Sequence, residues 1–193
     1  MEVDEPRMTS QQIAALAERV RQPIALVGMM GVGKSSVGRK LAHALHLPFV
    51  DADDAIEEAA KMSISEIFAT YGEAYFRDGE RRVIARLIDQ EQNGRPYVIA
   101  TGGGAFVNPE TRRLILERAI AVWLDSDVET LVERVARKDS RPLLRGGDPR
   151  EILSRLRAER APCYAEAPIK VISQNGPHSR TLDKVLKGIA ACL

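Results

Sequence analysis

The apolar run Pro23-Ile24-Ala25-Leu26-Val27 stops at Gly28-Met29-Met30-Gly31-Val32-Gly33-Lys34-Ser35, a stretch that fills every position of G-x-x-x-x-G-K-[ST]. A short apolar run closed by glycine predicts a buried strand, and a helix is expected to open after the glycines. Glycines let the backbone turn tightly with its N–H groups pointing inward. The start of the helix adds its positive end, so the loop suits polyphosphate oxygens. On this reading residues Gly28 to Ser36 bind ATP: Gly28, Met29, Met30, Gly31, Val32, Gly33, Lys34, Ser35 and Ser36. Lys34 reaches the β and γ phosphates as a catalytic point charge, and Ser35 Oγ is a ligand for Mg²⁺. A glycine-rich turn that merely happens to carry Lys-Ser is the bland alternative, and the strand before it and helix after it weigh against that.

The same strand signal returns at Phe49-Val50, Tyr97 to Ala100, Ala119 to Leu124 and Ile169 to Ile172, with helix-compatible sequence in between. Alternating strands and helices predict an α/β fold of three layers, a five-stranded parallel sheet with helices on both faces. Right-handed crossovers restrict the strand order without setting it. Helix starts are signalled by Thr9 with Gln12, by Ser63 with Glu66, by Asn108 before Pro109, and by Asp125 ahead of the periodic segment Val128 to Val135. The segment Arg137 to Pro149 breaks the regularity. With Arg137, Arg141, Arg145 and Gly146-Gly147 it reads as an exposed, mobile lid of about residues 137–149, rather than only a solvated charge cluster.

Two further stretches sit where open α/β sheets place their ligand crevice. Asp51-Ala52-Asp53 ends the second predicted strand, and residues two apart on an extended chain face the same way, so both carboxylates are expected to point into the crevice. One suits a water-bridged Mg²⁺ and the other a substrate hydroxyl. The competing reading has Asp53 or Asp54 capping a helix from Asp54 to Lys61, whereas Asp51 is harder to explain as a cap. Gly102-Gly103-Gly104 follows the third strand, and three glycines there allow a ligand to approach the backbone closely.

Composition narrows the partners. The chain has 193 residues, 45% of them apolar, enough for one core, and 28 basic against 27 acidic side chains leave a net charge of +1. That balance offers no electrostatic reason for a nucleic-acid or membrane partner. Cys163 and Cys192 are far apart and lack metal-ligand spacing, so neither a disulfide framework nor a zinc site is expected. The N-terminus does not read as a secretory signal, and no run approaches the roughly 18 apolar residues that span a bilayer. A soluble, cytoplasmic protein is the expectation.

Taken together, GMMGVGKSSVGRKLA at 28–42, DADDAIE at 51–57, ISEIFATYGEAYFRDGE at 64–80, ATGGGAF at 100–106, RPLL at 141–144 and ERAPCYAEA at 159–167 resemble the shikimate kinase family from about Pro23 to about Ile189. The resemblance implies the nucleoside monophosphate kinase-like P-loop fold with strand order 2-3-1-4-5. It also implies transfer of the γ-phosphate of ATP to the 3-hydroxyl of shikimate, giving shikimate 3-phosphate and ADP on the route to chorismate and the aromatic amino acids. By the same resemblance Asp53 is the catalytic acidic residue at the shikimate hydroxyls, and Asp51 is associated with Mg²⁺ through water. Arg77 and Arg160 grip the shikimate carboxylate, Gly102, Gly103 and Gly104 line the substrate, Arg141 is the catalytic lid arginine, and Arg134 packs on adenine. Read alone, Arg77 and Arg160 are ordinary surface charges; guanidinium pairing with a carboxylate supplies the physical reason for the roles implied. The expected layout is a helical extension over residues 1–22 and a kinase domain over 23–193, working as a monomer. The extension's helix, Thr9 to Arg21, packs either on the domain or on another subunit. A gluconate kinase-like enzyme and a non-catalytic nucleotide-binding module are the competing functions, and the paired arginines with the DADD and GGG segments weigh against both.

Overall fold

The structure is a computed structural model that describes residues 6–137, 147–173 and 178–193. Five strands form one sheet: β1 (Ile24–Val27), β2 (Phe49–Asp51), β5 (Val98–Ala100), β6 (Ile120–Asp125) and β7 (Ile169–Ile172). Their order is β2-β5-β1-β6-β7 and every neighbouring pair is parallel, with Ile24 in register with Val98 on one side and Ile120 on the other. The short antiparallel pair β3 (Glu91–Gln92) and β4 (Arg95–Pro96) lies outside this sheet. Counted along the large sheet alone the order is 2-3-1-4-5, as the family resemblance implied. All four residues of β1 and all six of β6 are buried, so these strands read as continuous apolar runs because both sheet faces are covered.

The helices are α1 (Ser10–Arg19), α2 (Lys34–Leu45), α3 (Ala52–Ala60), α4 (Ile64–Asp89), α5 (Pro109–Arg118), α6 (Val128–Ala136), α7 (Pro149–Tyr164) and α8 (His178–Cys192). A 3₁₀ turn spans Ala105–Val107, and α4 is broken at Gly72, where φ is 81°. Thr9 with Gln12 and Ser63 with Glu66 form complete capping boxes, and Asn108 caps α5 ahead of Pro109. Two expected starts are corrected. Helix α6 is capped by Asp127, which accepts from Thr130 N at 2.7 Å, while Asp125 is the last residue of β6. Helix α3 begins at Ala52 and is capped by Asp51, not by Asp53 or Asp54. The chain therefore leaves the extended conformation at Asp51, and strand alternation does not govern where Asp53 points. Of the expected lid, residues 138–146 lie outside the described residues; α7 resumes at Pro149 under an Asp148 cap.

Helix α1 packs on α2 of its own chain, which answers the question left by its apolar stripe. Leu16, Ala17 and Val20 join the main core, Met8 N donates to Asp183 Oδ1 at 2.8 Å, and Arg95 Nη2 donates to Ala17 O at 2.8 Å. Leu16 is 2% exposed, so Leu16→Ala leaves a cavity that the neighbours only partly fill. The expected loss is about 3 kcal/mol of unfolding free energy by urea denaturation.

Candidate active site

The crevice forms where strand order reverses, at the C-terminal end of β1, and the Gly28–Ser35 loop occupies it. Gly28 has φ 137°, and a Cβ there would collide with the Leu124 carbonyl of β6, so β1 ends against its neighbour only as glycine. Gly33, in the left-handed region at φ 99°, starts α2 with no side-chain cap, which leaves the first-turn amides to a ligand. Lys34 is 8% exposed, and its Nζ folds back to donate to Gly28 O at 2.7 Å and Met29 O at 2.8 Å. Met29, Met30 and Val32, where the motif accepts any residue, are all buried in the core here and anchor the loop from below. Ser36 is exposed on α2.

Ser35 ties this loop to the second strand: its Oγ donates to Asp51 Oδ2 at 2.6 Å, while Asp51 Oδ1 accepts from Asp53 N at 3.0 Å. Asp51 is thus both the cap of α3 and the partner of Ser35. Asp53, in the first turn of α3, faces the Gly102 turn, where an added methyl would stand 2.9 Å from Asp53 Oδ1 and 2.9 Å from Glu80 Oε1. Two carboxylates this close require cations. Arg77 Nη1 donates to Glu80 Oε2 at 2.7 Å, and the Arg77 guanidinium fills the space a side chain at Gly104 would take. Glu80 is 1% exposed; burial pushes its carboxyl up from the ordinary glutamate range, against the pull of Arg77, with Asp53 adding to the rise.

Arg160, on α7, reaches the same place from the opposite side. Its Nη1 is buried without a hydrogen-bond partner, and a methyl at Gly103 would lie 3.6 Å from it and 3.3 Å from Met30 N. A buried guanidinium donor with no acceptor is costly, and an anionic ligand would relieve that cost. Arg134 on α6 lies beside the loop, its Nη1 donating to Val32 O at 3.0 Å and Ser173 Oγ at 3.3 Å. Arg141 lies outside the described residues. Most of the sequence-predicted residues therefore meet at one crevice, with the loop and Asp51 on one side and Asp53, Arg77, Gly102, Gly103, Gly104 and Arg160 on the other. A cavity of about 400 Å³ opens elsewhere, on the far face of α4 around Ile56, Ile67, Phe76 and Val83, and holds none of them.

The sequence model of the shikimate kinase family matches residues 30–190. The chain belongs to the shikimate kinase family. It is 62% identical to the shikimate kinase of Novosphingobium aromaticivorans, over 98% of both chains. It is 57% identical to that of Caulobacter vibrioides strain NA1000, over 90% of this chain and 85% of the relative. A shikimate kinase from Acinetobacter baumannii, solved in complex with shikimate, superposes with a TM-score of 0.84 at 34% identity, covering 95% of this chain and 98% of that one. A gluconokinase from Sinorhizobium meliloti, at TM-score 0.62 and 18% identity, shares the fold.

Within this shikimate kinase fold, sequence reasoning passed over Glu80, although it lies in the quoted YFRDGE segment. The available signal was its spacing of three from Arg77, which puts the pair on one helix face. Its raised proton affinity has a readable sign. A folded-state value above the unfolded one adds stability below about pH 4.5, its ordinary value, and that contribution is lost as pH rises through the raised one. The unfolding free energy of the wild type relative to Glu80→Gln is therefore expected to fall as pH rises from about 4.5. Urea titrations at several pH values check this, and a difference independent of pH would contradict it.

Proposed function

We propose that this chain is a shikimate kinase, moving the γ-phosphate of ATP to the 3-hydroxyl of shikimate and releasing ADP and shikimate 3-phosphate. The observation that carries the reading is the buried, unpartnered Arg160 Nη1 facing Gly103 across from the phosphate loop, a donor awaiting an anionic acceptor substrate. A second guanidinium, Arg77, is held beside it by Glu80, and two such groups orient one carboxylate through paired hydrogen bonds.

In the proposed mechanism the loop amides and Lys34 hold the β and γ phosphates, and Arg134 lies along the adenine. Arg141, outside the described residues, closes over the transferring group from the lid. Ser35 and Asp51 present hard oxygen donors to each other at 2.6 Å, a set that fits Mg²⁺, with Asp51 acting through water. Bound there with ATP, Mg²⁺ supplies neutralisation of phosphate charge. Arg77 and Arg160 fix the shikimate carboxylate, Gly102 to Gly104 give its ring room against the backbone, and Asp53 accepts a hydrogen bond from the 3-hydroxyl to hold it in line. Rate enhancement then comes from positioning and preorganised charge. Residues 23–193 carry the kinase, and α1 of the 1–22 extension braces it. The protein acts on small molecules as a cytoplasmic monomer without nucleic acid; among the described residues no helix is long and apolar enough to cross a membrane.

An ADP-release assay with ATP and shikimate, quinate or gluconate tests the reading. Release is expected with shikimate far above the other two, and folded protein that shows none with shikimate overturns it. Asp53→Asn is expected to lower kcat by at least about a hundredfold while ADP affinity, measured by calorimetry, stays within about twofold.

A further inference from the structure

Helix α7 ends at Tyr164, whose side chain is 1% exposed. Its ring lies 5.9 Å from that of Trp123, centroid to centroid. The hydroxyl donates to the Gly103 carbonyl and stands 4.0 Å from Met29 Sδ. One helical turn back on the same helix stands Arg160. A single side chain thus touches the phosphate loop and the triglycine turn, one helical turn from Arg160.

Packing alone does not account for the hydroxyl, because phenylalanine would fill the same apolar space against Trp123. The hydroxyl's particular partner is what matters. The Gly103 carbonyl and the Gly104 N–H belong to one rigid trans peptide, so holding the carbonyl aims the amide the opposite way. Among the described residues, neither the Gly103 nor the Gly104 amide is taken up by a hydrogen bond within the chain. Three consecutive glycines carry little intrinsic preference for one peptide orientation. The Gly102 carbonyl is held locally by Ala105 N–H at 3.2 Å, so it is the Gly103–Gly104 peptide that needs an outside anchor to meet a substrate in one fixed direction. Burial pushes the Tyr164 hydroxyl up to about 12, so the anchor remains a donor throughout the neutral and mildly alkaline range.

We propose that Tyr164 is a positioning residue for the acceptor substrate: it locks the Gly103–Gly104 peptide in register with the phosphate loop, one helical turn from Arg160. The proposal rests on the shikimate kinase reading and adds to it a residue that need not touch substrate. A residue with a purely structural role would change thermal stability and leave substrate affinities alone. A positioning role separates the two substrates, since ATP is held by the loop and shikimate by the groups Tyr164 aligns.

Tyr164→Phe removes the hydroxyl and keeps the ring. Trp123 is the only tryptophan in the chain, so its emission reports shikimate binding directly at the Tyr164 contact. For Tyr164→Phe we expect the Kd and KM for shikimate to rise about tenfold, with the KM for ATP within about twofold of wild type. Tyr164→Met, which also lacks the hydroxyl but adapts its shape, is expected to give the same split and serves if the phenylalanine variant does not fold. Wild-type shikimate affinity in a folded variant overturns the proposal, as does an equal loss of affinity for ATP and shikimate. Failure of the wild type itself to turn over shikimate overturns the kinase reading, and this proposal with it. The wild-type control keeps these two failures apart.

Discussion

The hydrogen bond from Ser35 to Asp51 joins the two halves of the site. Ser35 opens the helix that carries the phosphate loop, and Asp51 both ends β2 and caps α3, which holds Asp53 in its first turn. A shift of one carboxylate would move the Ser35 hydroxyl and Asp53 together. That is why a cap, commonly worth about 1 kcal/mol of helix stability, stands here at the centre of the proposed chemistry. The switch in strand order at β1 provides the space, because no strand's connection covers the crevice at that point.

Across the crevice the controlling constraint is charge in a dry place. Asp53 and Glu80 converge on Gly102, and the cost of bringing two carboxylates together is offset by Arg77, whose guanidinium bridges to Glu80 and fills the space at Gly104. Arg160 completes the set with a buried donor left unmatched. The free protein thereby carries an unmatched donor of the kind that a carboxylate-bearing acceptor satisfies. Preorganisation of this kind costs folding energy and returns it as substrate orientation.

Much of this was legible in the chain. The phosphate loop, five strands and three of the capping signals all sit where they were expected, and Arg77 and Arg160 both lie beside the triglycine turn. The misreadings share one physical origin: local signals do not say where a strand ends. Asp51 was read as extended and unsuited to capping, yet α3 starts at the next residue. Asp125 was read as a cap, yet β6 runs through it and Arg157 donates to it from Nε and Nη2, at 3.1 and 2.9 Å, while Asp127 caps the helix. Either aspartate satisfies a capping pattern, and only pairing with β7 decides that the strand continues through Asp125.

By itself the sequence determined the nucleotide loop, the alternation that demands a parallel sheet and the family, because glycine spacing and apolar periodicity act over a few residues at a time. Tertiary structure alone decided that α1 braces α2, that the side chains of Met29 and Met30 anchor the loop, and that Glu80 and Tyr164 stand behind the residues proposed to touch substrate. Those relations join segments far apart along the chain or depend on which helix face is buried. Their energies come from desolvation and packing, which no local pattern of residues encodes.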